Sequence, residues 1–183
     1  MRSENNTVHE EYNVLEERYV NKVIQKVYQE EAGALHEGRV YEGYDYDADT
    51  DAAESKEWLF KAPVASSGEL AHLIARINVS GACRVRVYQD SQIGSDGTAI
   101  TLRNKDLNEA DYPTASFFRD PTNVTEGNTI LFDEQVGAAG TAVIDKILKS
   151  GSDYVFRVTA QAANTLISMT ATMIKHIVTQ AAN

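Results

Sequence analysis

The amino-acid sequence predicts a mainly β protein: an antiparallel β-sandwich preceded by an amphipathic helix and an extended acidic linker. Segments of alternating apolar and polar residues recur after residue 57 with turn-forming residues between them, which is typical of a sandwich. The clearest segment is 143–178, where each successive strand has one apolar face. We therefore divide the chain into a helical arm (1–32), a linker (33–56) and a β-sandwich domain (57–183).

The composition limits the classes of partner. The chain has 183 residues, which suits one domain with an appendage, and its formal net charge is −10. Because nucleic acids and anionic membranes both attract Lys and Arg, we expect neither as a partner. The N-terminus has no apolar core, so no secretory signal is expected, and no apolar run is long enough to cross a bilayer. The single cysteine, Cys83, is expected to be buried.

The N-terminal arm has the pattern of an amphipathic helix. Thr7 and Glu10 have the spacing of a capping box, and apolar residues then recur every three or four positions. Gly33 is expected to end the helix. The apolar stripe needs burial, either on the β-domain of the same chain, in a self-associated bundle, or on a different protein. We favour the last two, because the helix precedes a linker and can reach outward.

The linker is acidic and rich in tyrosine. Alternating aspartates over residues 45–51 are similar to the start of a calcium-binding loop. The pattern then fails, because Thr50 and Lys56 occupy the positions that need Gly and Glu. We therefore favour a solvated linker over a weak cation site. The residues of the arm and linker predicted to contact a partner are Tyr12, Leu15, Tyr19, Val23, Val27, Tyr41, Tyr44 and Tyr46.

The first strands of the β-domain are predicted over 57–61, 70–79 and 83–88. The last two are joined by a tight connection at 80–82 and are predicted to form a hairpin. Their inward residues are Ala71, Leu73, Ala75, Ile77, Val79, Cys83, Val85 and Val87. Arg84, Arg86 and Tyr88 are expected to face outward. Together with Arg76, the arginines form either a small basic patch or, as we favour, cross-strand pairs with carboxylates.

Further strands are predicted over 98–103, 114–119, 129–132, 144–148, 154–160 and 165–177. The last two are joined by a polar link and are predicted to form a second hairpin with one buried face. The inward residues of that hairpin are Tyr154, Phe156, Val158, Ile167, Met169, Ala171 and Met173. The domain then has about eight strands, which is the number in a jelly roll.

The sequence contains no recognisable catalytic or metal-binding motif. The four histidines lack the spacing of metal ligands, and neither a nucleophile elbow nor a phosphate-binding loop is present. His72 and His176 would meet if their strands pair, but we favour two separate exposed residues. We therefore expect no enzymatic activity, no cofactor and no metal.

Several segments of the β-domain occur together in a known class of proteins. They are the lead-in Glu57-Trp-Leu-Phe-Lys61, the segments 72–80 and 83–90, the Asp96-Gly-Thr loop with its continuation to Asn104, and the residues Leu148, Gly151, Tyr154, Arg157, Val158 and Thr159. In these segments, which span about residues 57–177, the chain resembles small virion structural proteins of tailed bacteriophages. The resemblance implies a jelly-roll-like body in a virion, similar to capsid decoration (cement) proteins, and implies no active-site residue.

The function implied by the resemblance is structural. We expect a decoration protein that binds the major capsid protein on the surface of the phage head and stabilises contacts between shell subunits. It would be made in the host cytoplasm and assemble as a dimer or trimer. The alternatives are a carbohydrate-binding module of the virion, a fibre or tail adaptor, and a head-completion protein. The aromatic residues considered for carbohydrate binding are Trp58, Tyr88, Tyr112 and Tyr154.

Overall fold

The computed structural model describes residues 33–109 and 111–177. They form eleven strands and one short 3-10 turn, Ala65–Ser67. The strands are β1 (Val40–Thr50), β2 (Ser55–Lys61), β3 (Glu69–Val79), β4 (Cys83–Gln89), β5 (Thr98–Ile100), β6 (Arg103–Asn104), β7 (Ser116–Arg119), β8 (Thr129–Val136), β9 (Thr141–Ile147), β10 (Asp153–Ala160) and β11 (Thr165–Ile177). The prediction of a mainly β protein is confirmed.

The strands form two antiparallel sheets. The first sheet has the order β6-β1-β11-β3-β9, and the second sheet has the order β5-β7-β2-β10-β4-β8. The pairing is nested, since β1 pairs with β11, β2 with β10, β3 with β9 and β4 with β8. Strands β5 to β7 belong to the connection between β4 and β8, and they widen both sheets at the same edge of the molecule.

The inner faces of the two sheets enclose one hydrophobic core. All residues predicted to face inward from segments 70–88 and 154–177 are at most 4% exposed, because alternate residues of a strand share a face. Cys83 is among them, as predicted, and burial raises the pKa of its thiol. The prediction of a β-sandwich is therefore confirmed.

Neither predicted hairpin forms. β3 and β4 belong to different sheets, and so do β10 and β11. The short connections 80–82 and 161–164 carry the chain from one sheet to the other, and Gln161 N donates a hydrogen bond to Ala82 O between them. Alternation places one face of a strand in the core, but it does not determine which strand lies alongside. The interpretation of these two segments as hairpins is therefore wrong.

Residues 40–50, predicted to belong to an acidic linker, form strand β1 instead. β1 lies between β6 and β11, so the β-domain includes this strand and is not limited to residues 57–183. The physical reason is that its inward side chains are either buried in the core or hydrogen-bonded inside the sandwich. Tyr41 is fully buried in the core, and the carboxylate of Asp45 accepts a hydrogen bond from the Trp58 indole at 2.9 Å.

Residues 33–36 are helical and precede β1. The chain leaves this segment at Gly38, whose φ of 63° lies in the left-handed region that favours glycine. Gly33 is thus part of the segment and does not end the helix, contrary to prediction. Ala34 packs against Ile174 on the outer side of the first sheet. The predicted helix over residues 1–32 lies outside the described residues, together with its predicted contact residues Tyr12, Leu15, Tyr19, Val23 and Val27.

Candidate functional site

The outer face of the second sheet is covered by the protein itself. Residues 90–97 and 120–127, from the connection between β4 and β8, pair with each other over this face. Glu126 reaches down to accept a hydrogen bond from Arg157 of β10. The large side chains beneath this connection are at most 1% exposed; they are Leu59, Tyr88 and Val155. Tyr88 therefore faces outward, as predicted, but it is not accessible.

The outward arginines of the second sheet pair with carboxylates, which is the interpretation favoured from the sequence. Arg84 lies 2.7 Å from Asp133, and Arg86 lies 4.0 Å from Glu126. Arg76 lies on β3 of the other sheet. The three arginines therefore form no common basic patch.

The outer face of the first sheet, formed by the outward residues of β1, β11, β3 and β9, is here called the open face. Ten large apolar side chains of the described residues are exposed, and five of them lie on this face. They are Tyr44 (58% exposed), Tyr46 (55%), Val143 (50%), Ile147 (69%) and Leu166 (42%). Thr170 and Arg76 separate Tyr44 of β1 from Val143 of β9, so the open face mixes apolar and polar side chains. Such a mixture is typical of interfaces between proteins that also exist apart.

The three tyrosines of β1 lie in different environments. Tyr41 faces the core and is fully buried, so its assignment as a partner-contact residue is corrected. Alternation along β1 places Tyr44 and Tyr46 on the opposite side, where they are exposed. Their rings are stacked, with centroids 6.2 Å apart and planes at 27°. Contact of these two residues with a partner stays a prediction.

A cleft of about 490 Å³ lies where β1 meets β6, at the edge of the open face. Its lining residues include Glu42, Tyr44, Ile100, Thr101, Arg103 and Lys105. β6 pairs with β1 at only two positions, so the cleft opens where this short ladder ends. Lys105 Nζ lies 3.2 Å from a Glu42 carboxylate oxygen, whereas Arg103 makes no ion pair within the described part of the chain. The cleft thus combines an aromatic ring, a carboxylate paired with an ammonium group, and a guanidinium that pairs with no described carboxylate.

A buried polar cluster lies beneath the loop that follows β6. Lys175, on the inner side of β11, is 7% exposed and donates a hydrogen bond to Asp111, and Tyr41 donates to the same carboxylate at 3.1 Å. Burial is the largest single effect and lowers the pKa of Lys175, but the hydrogen bonds with Asp111 and Tyr41 and the nearby charge of Glu69 together outweigh it, so this pKa is raised. The same hydrogen bond lowers the pKa of Asp111. Both groups stay charged at neutral pH, which suits a structural link between loop and sheet better than proton transfer.

Replacing Asp111 by Asn is expected to have a pH-dependent effect on stability. The pKa of Asp111 in the folded protein lies below its ordinary value of 3.8, so its contribution is complete above about pH 4 and is lost as the pH falls through the folded pKa. At pH 7 the variant should be less stable by about 1 kcal/mol, because Asp111 is half exposed and screened. Urea unfolding at pH 7 and at about pH 3 measures this difference.

The difference between wild type and Asp111→Asn should shrink at the lower pH. A difference that stays constant between the two pH values would contradict the assignment. Asp49→Asn is the matched control, because Asp49 is exposed and should show no such change.

Metal ligands and membrane spans are absent from the parts of the chain that the structure describes. No group of three or more His, Cys, Asp or Glu side chains is placed there to hold a metal ion. His72 and His176, favoured as separate residues, do meet, because β3 pairs with β11, and their rings stack at 6.0 Å. His72 also lies 2.5 Å from Asp145. None of the described helical residues forms a helix long and apolar enough to cross a bilayer.

The aromatic residues considered for carbohydrate binding are mostly buried. Three of them are at most 2% exposed, namely Trp58, Tyr88 and Tyr154. Tyr112 alone is accessible, at 73%. The exposed aromatic pair is instead Tyr44 and Tyr46, which were predicted to lie in a linker. The signal that identifies them is the regular alternation of residues 41–47, read as a strand with its aromatic side outward.

No protein-family model matches the chain, and no curated protein matches it in sequence. The function is therefore inferred from the nested strand order and the open face.

Proposed function

We propose that the protein is a structural component of a tailed-phage virion, a capsid decoration protein that binds the major capsid protein through the open face. The observation that carries the proposal is the asymmetry of the sandwich. The second sheet is covered by residues 90–97 and 120–127, whereas the first exposes five large apolar side chains. Burying such a face against a partner is favourable by roughly 25 cal/mol for each Å² of apolar surface.

The nested strand order supports the same class of protein. In a jelly roll, eight strands in two Greek keys fold so that the first strand pairs with the last, the second with the seventh, and so on inward. The principal strands β1 to β4 and β8 to β11 pair in this order. Viral capsid proteins and lectins commonly have this fold. We therefore assign the body to the jelly-roll class, in agreement with the resemblance over residues 57–177.

The area of the open face indicates how strongly the protein would bind a shell through this face alone. Four strands about 4.8 Å apart, exposed over about seven residues each, cover roughly 450 Å². A specific interface buries about 800 Å² on each partner. The open face alone would therefore give weak binding. The remaining area would come from the arm, residues 1–32, or from neighbouring copies in the predicted dimer or trimer.

Replacing Ile147 by Glu is expected to reduce binding to phage heads at least about tenfold, because the charge would have to be dehydrated in the contact. Ile130→Glu is the matched control. Ile130 is 55% exposed on the outer side of the second sheet, and Ile147 is 69% exposed on the open face. Heads of the encoding phage that lack the protein are incubated with each variant and sedimented, and the bound copies for each head are counted by quantitative mass spectrometry.

We expect wild type and Ile130→Glu to decorate the heads equally. Full occupancy by Ile147→Glu would exclude the open face as the contact. Absence of wild-type protein from heads, with recovery on tails or fibres, would replace the decoration role by the adaptor role.

A further inference from the structure

We infer that the partner surface bound by the open face carries a carboxylate opposite Arg76, an inference that rests on the function proposed above. Tyr44 of β1 lies opposite Thr170 of β11 in register. Thr170 in turn lies opposite Arg76 of β3, and Arg76 lies opposite Val143 of β9. Arg76 thus has neighbouring strands on both sides, and it is exposed. A partner that covers the open face would therefore also cover this guanidinium.

The acidic groups near Arg76 on the open face are already bonded within the chain. Glu42 lies 3.2 Å from Lys105, and Asp145 lies 2.5 Å from a ring nitrogen of His72. Asp145 is the diagonal neighbour of Arg76 across β3 and β9, but it bonds His72 instead. Within the described residues the Arg76 side chain makes no hydrogen bond or ion pair. Its five N–H donors are thus available to a group outside the chain.

Burial against a shell makes an anionic acceptor for Arg76 necessary. Moving a charge out of water is strongly unfavourable unless the charge is paired and hydrogen-bonded. A neutral acceptor, such as a backbone carbonyl, would satisfy hydrogen bonds but would leave the positive charge uncompensated. A carboxylate does both, because it accepts two parallel hydrogen bonds from a guanidinium. The open face therefore fits a shell surface that places Asp or Glu at this point.

The rest of the chain excludes a strongly anionic partner. The formal net charge is −10, so a nucleic acid or an anionic membrane would be repelled, and one arginine would not offset the repulsion. The registered neighbours of Arg76 are Thr170 and Val143, so the contact on both sides of the guanidinium is uncharged. This arrangement fits a single carboxylate in an otherwise neutral protein surface. Arginines in the interior of an interface commonly dominate its affinity.

The test compares Arg76→Gln with wild type on heads of the encoding phage that lack the protein. One batch of heads is first treated with a carbodiimide and ethanolamine, which converts exposed carboxylates to neutral amides. On untreated heads Arg76→Gln should bind at least about tenfold more weakly than wild type, because the carboxylate loses its partner. On treated heads wild type should fall to about the affinity of Arg76→Gln. The variant itself should change by less than about threefold, since it no longer makes the ion pair.

Arg84→Gln is the matched control, because it removes the same charge from the second sheet. It should bind untreated heads like wild type and lose affinity on treated heads as wild type does. Amidation by itself would favour the binding of a chain with a net charge of −10, so a loss identifies a specific carboxylate. Arg76→Gln should unfold in urea like wild type, since this side chain makes no hydrogen bond or ion pair within the described residues.

Equal binding of Arg76→Gln and wild type to untreated heads would overturn the inference. It is also overturned if amidation weakens wild type no more than Arg76→Gln, because the acceptor of Arg76 would then not be a carboxylate. Either result leaves the proposed function standing when Ile147→Glu still fails to decorate heads. If wild type binds no heads at all, the proposed function and the carboxylate contact are both wrong.

Discussion

A chain that begins at residue 51 is expected not to fold, because it lacks β1. This strand pairs with β11 at nine registered positions and lies inside the first sheet. It also supplies Tyr41, and removal of one such buried aromatic side chain costs about 3–5 kcal/mol. Loss of the whole strand therefore exceeds the stability of a typical domain, about 5–15 kcal/mol. Circular dichroism during urea unfolding should show no cooperative transition.

A chain that begins at residue 33 is the control for this deletion. It retains every strand of the sandwich, so it should unfold cooperatively and nearly as the full chain does. A cooperative transition in the chain that begins at residue 51 would show that β1 is dispensable and would restore the linker interpretation. The chain that begins at residue 33 is also the correct one for measuring whether the arm anchors the protein on heads.

Replacing Asp45 by Ala is expected to lower the free energy of unfolding by about 1–3 kcal/mol, because it leaves a buried hydrogen-bond donor unsatisfied, while Lys56 keeps its ion pair with Asp120. The carboxylate of Asp45 accepts a hydrogen bond from Trp58 Nε1 at 2.9 Å and lies 3.3 Å from an Arg119 nitrogen. Lys56, itself buried, lies 4.0 Å away. The variant leaves the indole N–H without its acceptor. The midpoint of urea unfolding measures the loss.

Two further variants separate this effect from a general loss of negative charge. Asp49→Ala removes an exposed carboxylate of the same strand and should change stability by no more than about 0.5 kcal/mol. Asp45→Asn keeps an oxygen for Trp58 and should lose less than Asp45→Ala. Equal stability of wild type and Asp45→Ala would mean that Asp45 does not link the sheets.

The sequence predicted the strands of the β-domain well and their neighbours poorly. The segment 165–177 was predicted with the bounds that β11 has, because alternation over thirteen residues is a strong signal. Its pairing with β10 was wrong, because the hydrogen-bonding partner of a strand depends on the path of the whole chain. In this protein the path crosses from sheet to sheet at nearly every connection, as at 80–82 and 161–164.

Strand β1 was missed because its polarity differs from the usual pattern. Its inward positions include Gly43 and Asp45, and its outward positions include Tyr44 and Tyr46. A reading by hydrophobicity therefore places the wrong side inward. The donors that satisfy Asp45 are Trp58 of β2 and Arg119 of β7, and the sequence does not show that they meet it.

The cleft was not predictable from the sequence for a related reason. Its walls come from residues 42–44 and 100–105, which meet only because the chain passes from β5 in the second sheet to β6 in the first. The open face was likewise not predictable from the sequence. Val143 and Ile147 are ordinary apolar residues of a strand, and only the pairing shows that they share the open face with the tyrosines of β1.

The most direct test of the central claim is a density map of the intact virion in which the strands of the sandwich are resolved. We expect density for the body on the outside of the head, with β1, β11, β3 and β9 facing the capsid shell and the connection over the second sheet facing solvent. A map that places the open face toward solvent, or that contains the body only at the tail, would contradict the proposed role as a capsid decoration protein.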